Sequence, residues 1–262
     1  MLRRTLHAFE RRVIYPWAAW RGWRPSCLRS VALRDLEWDF GFEDEEAIKR
    51  AVRLVAAHTV VSLERLASLW WQIRQLDQQQ IPGALVECGV RLGGSSAMMA
   101  LAHMASVPEP YRSLDLFDSF KGMPDPTEQD GEQVARLALQ WAAENLNYPP
   151  EVSRRLIVDT AGYPGNLVRY HVGWFQDTAQ ADAPTLGPIA LLRLDGDFYE
   201  STKVCLEAFY PNVSVGGIVV IDDYGPFNGC RTAVDEFTAR FPRPFFLHRI
   251  DVDGRYWIKA RE

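Results

Sequence analysis

Several features that would point to a particular class of protein are scarce or missing in this sequence of 262 residues. The four cysteines, Cys27, Cys88, Cys205 and Cys230, are far apart, so we expect neither a zinc finger nor a disulfide framework, and a reducing, cytoplasmic setting fits. The longest apolar run near the amino terminus, residues 13–20, is short and contains Pro16, which argues against a signal peptide and a membrane span. The net charge of -5 disfavours binding of nucleic acid through a basic surface.

What is present is the composition of an ordinary globular protein with an unusual amino-terminal segment. Apolar residues make up 47% and charged residues 24%, which is enough for one sizeable core, assigned to residues 56–262. Residues 1–55 are predicted to form a helical arm or lid. The beginning of this arm interleaves three tryptophans with six arginines: Trp17, Trp20, Trp23, Arg3, Arg4, Arg11, Arg12, Arg21 and Arg24. We expect it to pack on the body or across a homo-oligomer interface, with contact to an anionic membrane surface as the alternative.

The order of apolar segments predicts an α/β fold. Short buried strands are predicted at residues 84–89, 113–118, 168–172, 189–194, 217–221, 245–250 and 255–259, with helices at residues 62–73, 93–105, 201–209 and 230–240. Ser62 suits the N-cap of the first helix, and Asp253-Gly254 between the last two strands is a hairpin signal. Alternating strands and helices predict a doubly wound, mostly parallel seven-stranded sheet that ends in an antiparallel hairpin.

Acidic residues follow two of these strands at the point where each ends. Asp195 and Asp197 follow the strand at residues 189–194, and Asp222 and Asp223 follow the strand at residues 217–221. Because ligands bind outside the carboxyl ends of parallel strands, four carboxylates there suggest a divalent cation and a reaction. The alternative is structural, since single aspartates at such positions also cap helices or bind backbone N–H groups.

A glycine-rich turn follows the first strand. Gly89, Gly93 and Gly94 allow the backbone to approach a ligand closely, and the helix beyond them offers free N–H groups to an anion. The spacing fits neither the dinucleotide fingerprint, since Arg91 stands where its second glycine belongs, nor the triphosphate loop. With Asp118 after the second strand, the turn suggests a cofactor that contains adenosine, while turn chemistry alone is the alternative.

In these segments the chain resembles the macrocin O-methyltransferase family, metal-dependent S-adenosylmethionine enzymes that methylate hydroxyls on sugars and related natural products. The resemblance runs from about His58 to Lys259, and its most specific part is the acidic-strand motif. The matching segments are Ile81-Pro82-Gly83, Val86-Glu87-Cys88-Gly89-Val90, Gly93-Gly94-Ser95, Phe117-Asp118-Ser119-Phe120, Gly122-Met123-Pro124, Leu192-Arg193-Leu194-Asp195 with Asp197, Tyr199-Glu200-Ser201-Thr202, Leu206-Glu207, Tyr210-Pro211 and Gly216-Gly217 through Ile221-Asp222-Asp223-Tyr224-Gly225.

The resemblance implies a class I methyltransferase, Rossmann-like fold and a role for each matched residue. It implies Asp195, Asp222 and Asp223 as ligands of Mg²⁺ and Asp197 as the general base. The residues that it implies for S-adenosylmethionine are Thr59, Val60, Glu87, Gly89, Val90, Gly93, Gly94, Ser95, Asp118, Ser119, Gly173, Trp174, Phe175 and Asp195. The first 55 residues resemble the family least and adjoin the part that shapes the acceptor pocket.

This assignment predicts separate roles for the metal ion and for Asp197. Mg²⁺ takes about six oxygen ligands, so three carboxylates leave positions for oxygens of a small hydroxylated substrate, expected to contain a sugar. The cation lowers the pKa of the acceptor hydroxyl, and Asp197 accepts its proton.

Two rival functions come from other classes. Tyr199 and Lys203 fit the Tyr-x-x-x-Lys pair of short-chain dehydrogenases, which makes an NAD(P)-dependent oxidoreductase the alternative enzyme. That reading lacks a nicotinamide-type glycine fingerprint and leaves Asp195, Asp222 and Asp223 unexplained. The other rival is a non-catalytic binding protein of the same fold, whose mark would be loss of the acidic residues or of the glycine turn.

Overall fold

The structure is a computed structural model that describes residues 41, 43–132, 147–225 and 227–261. Most of the predicted arm, residues 1–40, lies outside the described residues, as do Cys27 and residues 133–146. Within the described ranges, no helix has both the length and the apolar character needed to cross a membrane.

The described residues form a seven-stranded sheet, as predicted. Its strands are β1 (Ala84–Cys88), β2 (Leu114–Asp118), β3 (Val168–Val172), β4 (Ile189–Leu194), β5 (Val213–Ile221), β6 (His248–Arg249) and β7 (Arg255–Ile258). The spatial order is β3-β2-β1-β4-β5-β7-β6. Strands β1 to β5 are parallel, and β7 runs antiparallel to both β5 and β6. The chain order reverses between β1 and β4, which is where open α/β sheets form a ligand crevice.

Helices cover both faces of the sheet. They are α1 (Glu45–Val55), α2 (Leu63–Gln78), α3 (Gly94–Ser106), α4 (Pro150–Arg154), α5 (Phe175–Leu186), α6 (Tyr199–Phe209) and α7 (Asn228–Thr238). A wider π-helical turn, Arg155–Thr160, continues α4. Ser62 caps α2 as predicted, because its Oγ accepts a hydrogen bond of 3.2 Å from the backbone N–H of Arg65.

Alternating side chains of β1 contribute to two apolar clusters, one on each face of the sheet. Leu85 lies in the apolar cluster formed with α1, α2 and α3, whereas Val86 and Cys88 lie in the cluster formed with α5, α6 and α7. This is the two-residue period of a strand that is buried on both faces. Helix α1 contributes fully buried Ile48 and Val52 to the first cluster, so this part of the predicted arm packs on the body.

A buried arginine fixes the amino-terminal edge of the sheet. Arg112, just before β2, donates to Asp77 Oδ1 at 2.7 Å and to the carbonyl oxygens of Gly83 and Ile81, each at 2.7 Å. His103 Nδ1 lies 2.8 Å from the other oxygen of Asp77. This network lies at the edge opposite the carboxyl ends of the strands.

The structure differs from the predicted elements in several places. Strand β5 begins at Val213 rather than at residue 217, and helix α2 continues to Gln78 rather than ending at residue 73. Strand β6 covers only His248–Arg249 rather than residues 245–250. Phe245 instead packs edge-on against Trp257 in an aromatic cluster, with the two ring centres 5.5 Å apart. Helix α5 was not predicted, since its sequence is polar and contains Pro184. Only three of its residues, Ala179, Ala183 and Leu186, are buried.

Candidate active site

Three aspartates meet at the carboxyl ends of β4 and β5. Leu194 and Ile221 are register partners, so Asp195 and Asp222 leave the two strands side by side. One carboxylate oxygen from each of Asp195, Asp222 and Asp223 lies within 4.8 Å of the other two. The structure thus brings together the three residues that the sequence suggested as metal ligands.

Arg193, which is inside β4, is surrounded by carboxylates. Its Nη1 donates to Glu87 Oε1 at 2.7 Å and to Asp195 Oδ2 at 2.9 Å, while Nη2 donates to Asp222 Oδ1 at 2.6 Å. Burial would lower the pKa of Arg193, but these acids raise it well above its ordinary value. A permanently charged guanidinium is therefore built into the floor of the site.

Arg65 approaches the same cluster from the first turn of α2. Its Nη1 donates to the carboxylate of Asp222 and, at 3.3 Å, to the backbone carbonyl of the same residue. Its Nε lies 3.2 Å from Asp251 Oδ2 in the loop between β6 and β7. Arg65 thereby ties α2 and the hairpin loop to Asp222.

Asp197 lies beside the three aspartates in an uncommon backbone conformation. Its φ angle is 60°, and its N–H donates to Asp223 Oδ2 at 3.3 Å. Aspartate and asparagine tolerate the left-handed region better than most residues. The turn through Gly196 therefore places the Asp197 carboxylate next to the cluster rather than along the strand.

The carboxylates outnumber the cations near them, and their pKa values reflect this. Although Asp197 is only half-buried, the surrounding protein and then the charges of Asp195 and Asp222 raise its pKa to about 8. Burial and repulsion by Asp197 and Asp195 raise the pKa of Asp223 well above its ordinary value. Burial also raises the pKa of Asp222, against the opposing effect of Arg193 and Arg65. A divalent cation among these oxygens would relieve the repulsion, so the donor set fits a hard metal ion.

The glycine turn lies directly against the metal-ligand candidates. The backbone N–H of Asp195 donates to Cys88 O at 2.8 Å, and a Cβ on Gly89 would collide with the carbonyl oxygen of Asp195. A Cβ on Gly93 would lie 2.5 Å from Ser153 Cβ, and one on Gly94 would lie 2.6 Å from Thr59 Cβ. These glycines are thus needed for close packing of protein segments around the turn.

Glu87 is held by buried partners within the protein, whereas Ser95 lies at the start of the helix that follows the glycine turn. Glu87 is fully buried, and its second oxygen, Oε2, accepts a hydrogen bond from Ser96 Oγ. Burial raises the pKa of Glu87 to about 7, although Arg193 and Ser96 oppose the shift. Ser95 lies in the first turn of α3, whose leading N–H groups face the turn.

Asp118 organises the loops at the end of β2. Its Oδ2 accepts from the N–H groups of Val90 at 2.8 Å and Arg91 at 3.0 Å, and its Oδ1 accepts from Phe120 N–H at 2.7 Å. Ser119 Oγ donates to Gly122 O at 3.1 Å. Asp118 therefore links the glycine turn to the second strand and keeps acceptor capacity on Oδ1.

The remaining predicted cofactor residues flank the turn from two sides. Thr59 packs against Gly94 at the start of α3, and the neighbouring Val60 is 49% exposed. Trp174 is the N-cap of α5, and the ring of Phe175 lies 3.3 Å from where a Cβ on Gly196 would be. Gly173 N–H donates to Asp118 O at 3.0 Å. All the segments that sequence analysis suggested thus border one region at the carboxyl edge of the sheet.

Sequence analysis did not identify Arg193 and Arg65 as site residues. A charged residue inside an otherwise apolar buried strand is a signal for Arg193, because such a charge needs partners. Arg65 gives no comparable signal, since arginine is common on amphipathic helices.

Tyr199 and Lys203 contact each other, and Tyr199 also contacts the neighbouring helix α7. The hydroxyl of Tyr199 donates to Glu236 Oε2 of α7 at 2.7 Å, and Lys203 Nζ lies 5.3 Å from the centre of the Tyr199 ring. The hydrogen bond joins α6 to α7, and the contact between Lys203 and Tyr199 lies within α6.

The chain is similar to known O-methyltransferases over most of its length. Residues 36–259 match the family model described as Macrocin-O-methyltransferase (TylF). The chain is 37% identical over 208 residues to demethyldecarbamoylnovobiocin O-methyltransferase of Streptomyces niveus, covering 78% of this chain and 77% of the relative. It is also 37% identical over 201 residues to 8-demethyl-8-(2,3-dimethoxy-alpha-L-rhamnosyl)-tetracenomycin-C 4'-O-methyltransferase of Streptomyces olivaceus, covering 77% and 75%. The solved structure of the O-methyltransferase NovP is similar with a TM-score of 0.69 and 35% identity, over 78% of this chain and 83% of that chain.

Proposed function

The chain belongs to the macrocin O-methyltransferase family and is an S-adenosylmethionine-dependent O-methyltransferase, and from this premise we propose that it methylates a hydroxyl of a sugar or a sugar-bearing natural product with the help of Mg²⁺. The observation that carries the proposal is the meeting of Asp195, Asp222 and Asp223 beside the glycine turn. The names of the relatives support the substrate class, since the substrate in one of them carries a rhamnosyl group.

The proposed donor site lies between the glycine turn, the start of α3 and the loop after β3. Gly89, Val90, Gly93, Gly94 and Ser95 would line the side where the leading N–H groups of α3 can receive a carboxylate. Asp118 and Ser119 would face the ribose hydroxyls. Gly173, Trp174 and Phe175 would flank the adenine, and Thr59 with Val60 would cover the amino-acid end. S-adenosylmethionine brings its own electrophilic methyl group.

The proposed acceptor site uses the three aspartates and Asp197. Asp195, Asp222 and Asp223 would hold Mg²⁺, which retains positions for other oxygens because it takes about six ligands. A bound cation orients a hydroxyl and lowers its pKa. Asp197 lies beside this cluster, and its raised pKa makes it a stronger base than an ordinary aspartate. Its carboxylate would take the hydroxyl proton as the methyl group is transferred.

An acceptor panel tests the substrate class. Purified protein with methyl-labelled S-adenosylmethionine and Mg²⁺ would be offered glycosylated natural products, each beside its own sugar-free aglycone. We expect a mass increase of one methyl group on glycosylated members, with fragmentation placing the methyl on the sugar. Methylation of the aglycones at equal or greater rates would contradict the proposal.

A further inference from the structure

A chain of hydrogen bonds runs from the first turn of α3 to Asp195 and Asp222, two of the three aspartates. Ser96 Oγ donates to Glu87 Oε2, Arg193 Nη1 donates to Glu87 Oε1 at 2.7 Å, and Arg193 also donates to Asp195 and Asp222. Ser96 is 0% exposed, Glu87 and Arg193 are each 1% exposed, and Asp222 is 3% exposed. These hydrogen bonds therefore connect β1, β4 and the end of β5 out of contact with water, except at Asp195, whose side chain is 28% exposed.

The two oxygens of Glu87 have partners within the protein. One is held by Ser96 and the other by Arg193, and the side chain has no exposed face from which to reach a ligand. Glu87 is thus better suited to positioning its neighbours than to touching the donor itself. Its two partners belong to the two halves of the site, since Ser96 lies in the first turn of α3 and Arg193 binds the aspartates.

We propose that Ser96, Glu87 and Arg193 are positioning residues that couple binding of the methyl donor to binding of the metal. This inference rests on the proposed function. A metal held by Asp195 and Asp222 fixes the two carboxylates that orient Arg193, and Arg193 in turn fixes Glu87 and the first turn of α3. The donor then binds to a segment that is already ordered, so its affinity is higher when the metal is present. By linkage, bound donor raises the affinity for the metal by the same factor.

The positive charge of Arg193 is not sufficient for this positioning role, because the contacts require two donor nitrogens in the fixed geometry of a guanidinium group. Arg193 uses two nitrogens to contact three carboxylates on three strands or strand ends. Lysine would keep the positive charge, but its single ammonium group cannot reproduce the planar, forked arrangement. Arg193→Lys therefore separates the positioning role from the charge.

The test measures the dissociation constant of S-adenosylhomocysteine by calorimetry, with and without saturating Mg²⁺. This product lacks the sulfonium charge, so direct repulsion between donor and metal does not enter the comparison. We expect Mg²⁺ to tighten its binding to the wild-type protein by about fivefold or more, within the usual range of coupled sites. In Arg193→Lys and in Ser96→Ala, we expect the ratio of the two constants to fall towards one.

Arg112→Lys is the matched control, because Arg112 is an equally buried arginine paired with a buried carboxylate at the opposite edge of the sheet. It should lower the melting temperature but keep the wild-type ratio. Ser96→Ala removes only a hydroxyl, so it keeps the test available if Arg193→Lys does not fold. The inference is overturned if wild type binds both ligands independently, or if the two variants keep the wild-type ratio. Failure of wild type to bind either ligand would instead count against the proposed function.

Discussion

Asp197→Asn is expected to lower kcat by about 10²–10⁴-fold, the usual contribution of a general base, while leaving donor and metal affinity close to wild type. The amide cannot accept a proton at neutral pH, but it has the shape of the carboxylate. Asparagine also tolerates the left-handed backbone conformation at this position, where φ is 60°. Turnover and calorimetry with S-adenosylhomocysteine and Mg²⁺ check both halves of the expectation.

Glu200→Gln provides the matched control, since it removes a carboxylate from the first turn of α6, outside the aspartate cluster, and should leave turnover unchanged. Near-wild-type turnover in Asp197→Asn would remove Asp197 from the role of base. Loss of metal or donor binding in that variant would give it a structural role instead.

The pKa of Asp197 is expected to set the pH dependence of the reaction. A base works in its deprotonated form, so kcat/KM should fall as the pH drops through the pKa of Asp197. That pKa is raised to about 8 in the metal-free protein by burial and by the charges of Asp195 and Asp222. Because Mg²⁺ would offset those charges, we expect the acidic limb of the profile below that value, and its loss from the residual activity of Asp197→Asn.

Asp223→Asn is expected to weaken Mg²⁺ binding and to lower turnover by about 10²–10³-fold at a fixed Mg²⁺ concentration, since a catalytic cation contributes several kcal/mol. Added Mg²⁺ should restore part of the activity. The metal-free variant should melt at or above the wild-type temperature, because burial and neighbouring acids disfavour a charged Asp223. Titration of Mg²⁺ with turnover and melting as readouts checks this prediction.

Asp222→Asn is the comparison that separates metal binding from folding. Asp222 accepts hydrogen bonds from both Arg193 and Arg65, so its neutralisation removes one charged partner from each of two buried guanidinium groups. Breaking a buried ion pair costs about 3–5 kcal/mol. We therefore expect Asp222→Asn to lose metal dependence and to unfold more easily. If Asp223→Asn kept wild-type affinity for Mg²⁺, Asp223 would not be a metal ligand.

The edge of the sheet where the site lies could be predicted from sequence because the signal is local. Apolar runs mark β4 and β5, and the first acids after each run must emerge at the same edge once the strands are parallel. That argument, together with the family resemblance, predicts the metal ligands Asp195, Asp222 and Asp223. The seven-stranded sheet and its antiparallel end follow from the order of apolar segments, and both predictions are confirmed.

The interior of the site could not be predicted, because it depends on which strands become neighbours. Arg193 and Glu87 are 106 residues apart in sequence and meet only because β1 pairs with β4. Gly93 and Gly94 indicate a close approach of the backbone, and the structure places Ser153 and Thr59 against them. A glycine in the sequence signals a close approach without identifying what approaches.

Methyl transfer to a glycosylated acceptor, followed by mass spectrometry before and after chelation, tests the central claim most directly. The account predicts a mass increase of one methyl group on the sugar, its loss when a chelator removes the divalent cation, and its return when excess Mg²⁺ is added. Transfer that continues at the same rate in the metal-free protein would contradict the assignment of Asp195, Asp222 and Asp223 to a catalytic metal.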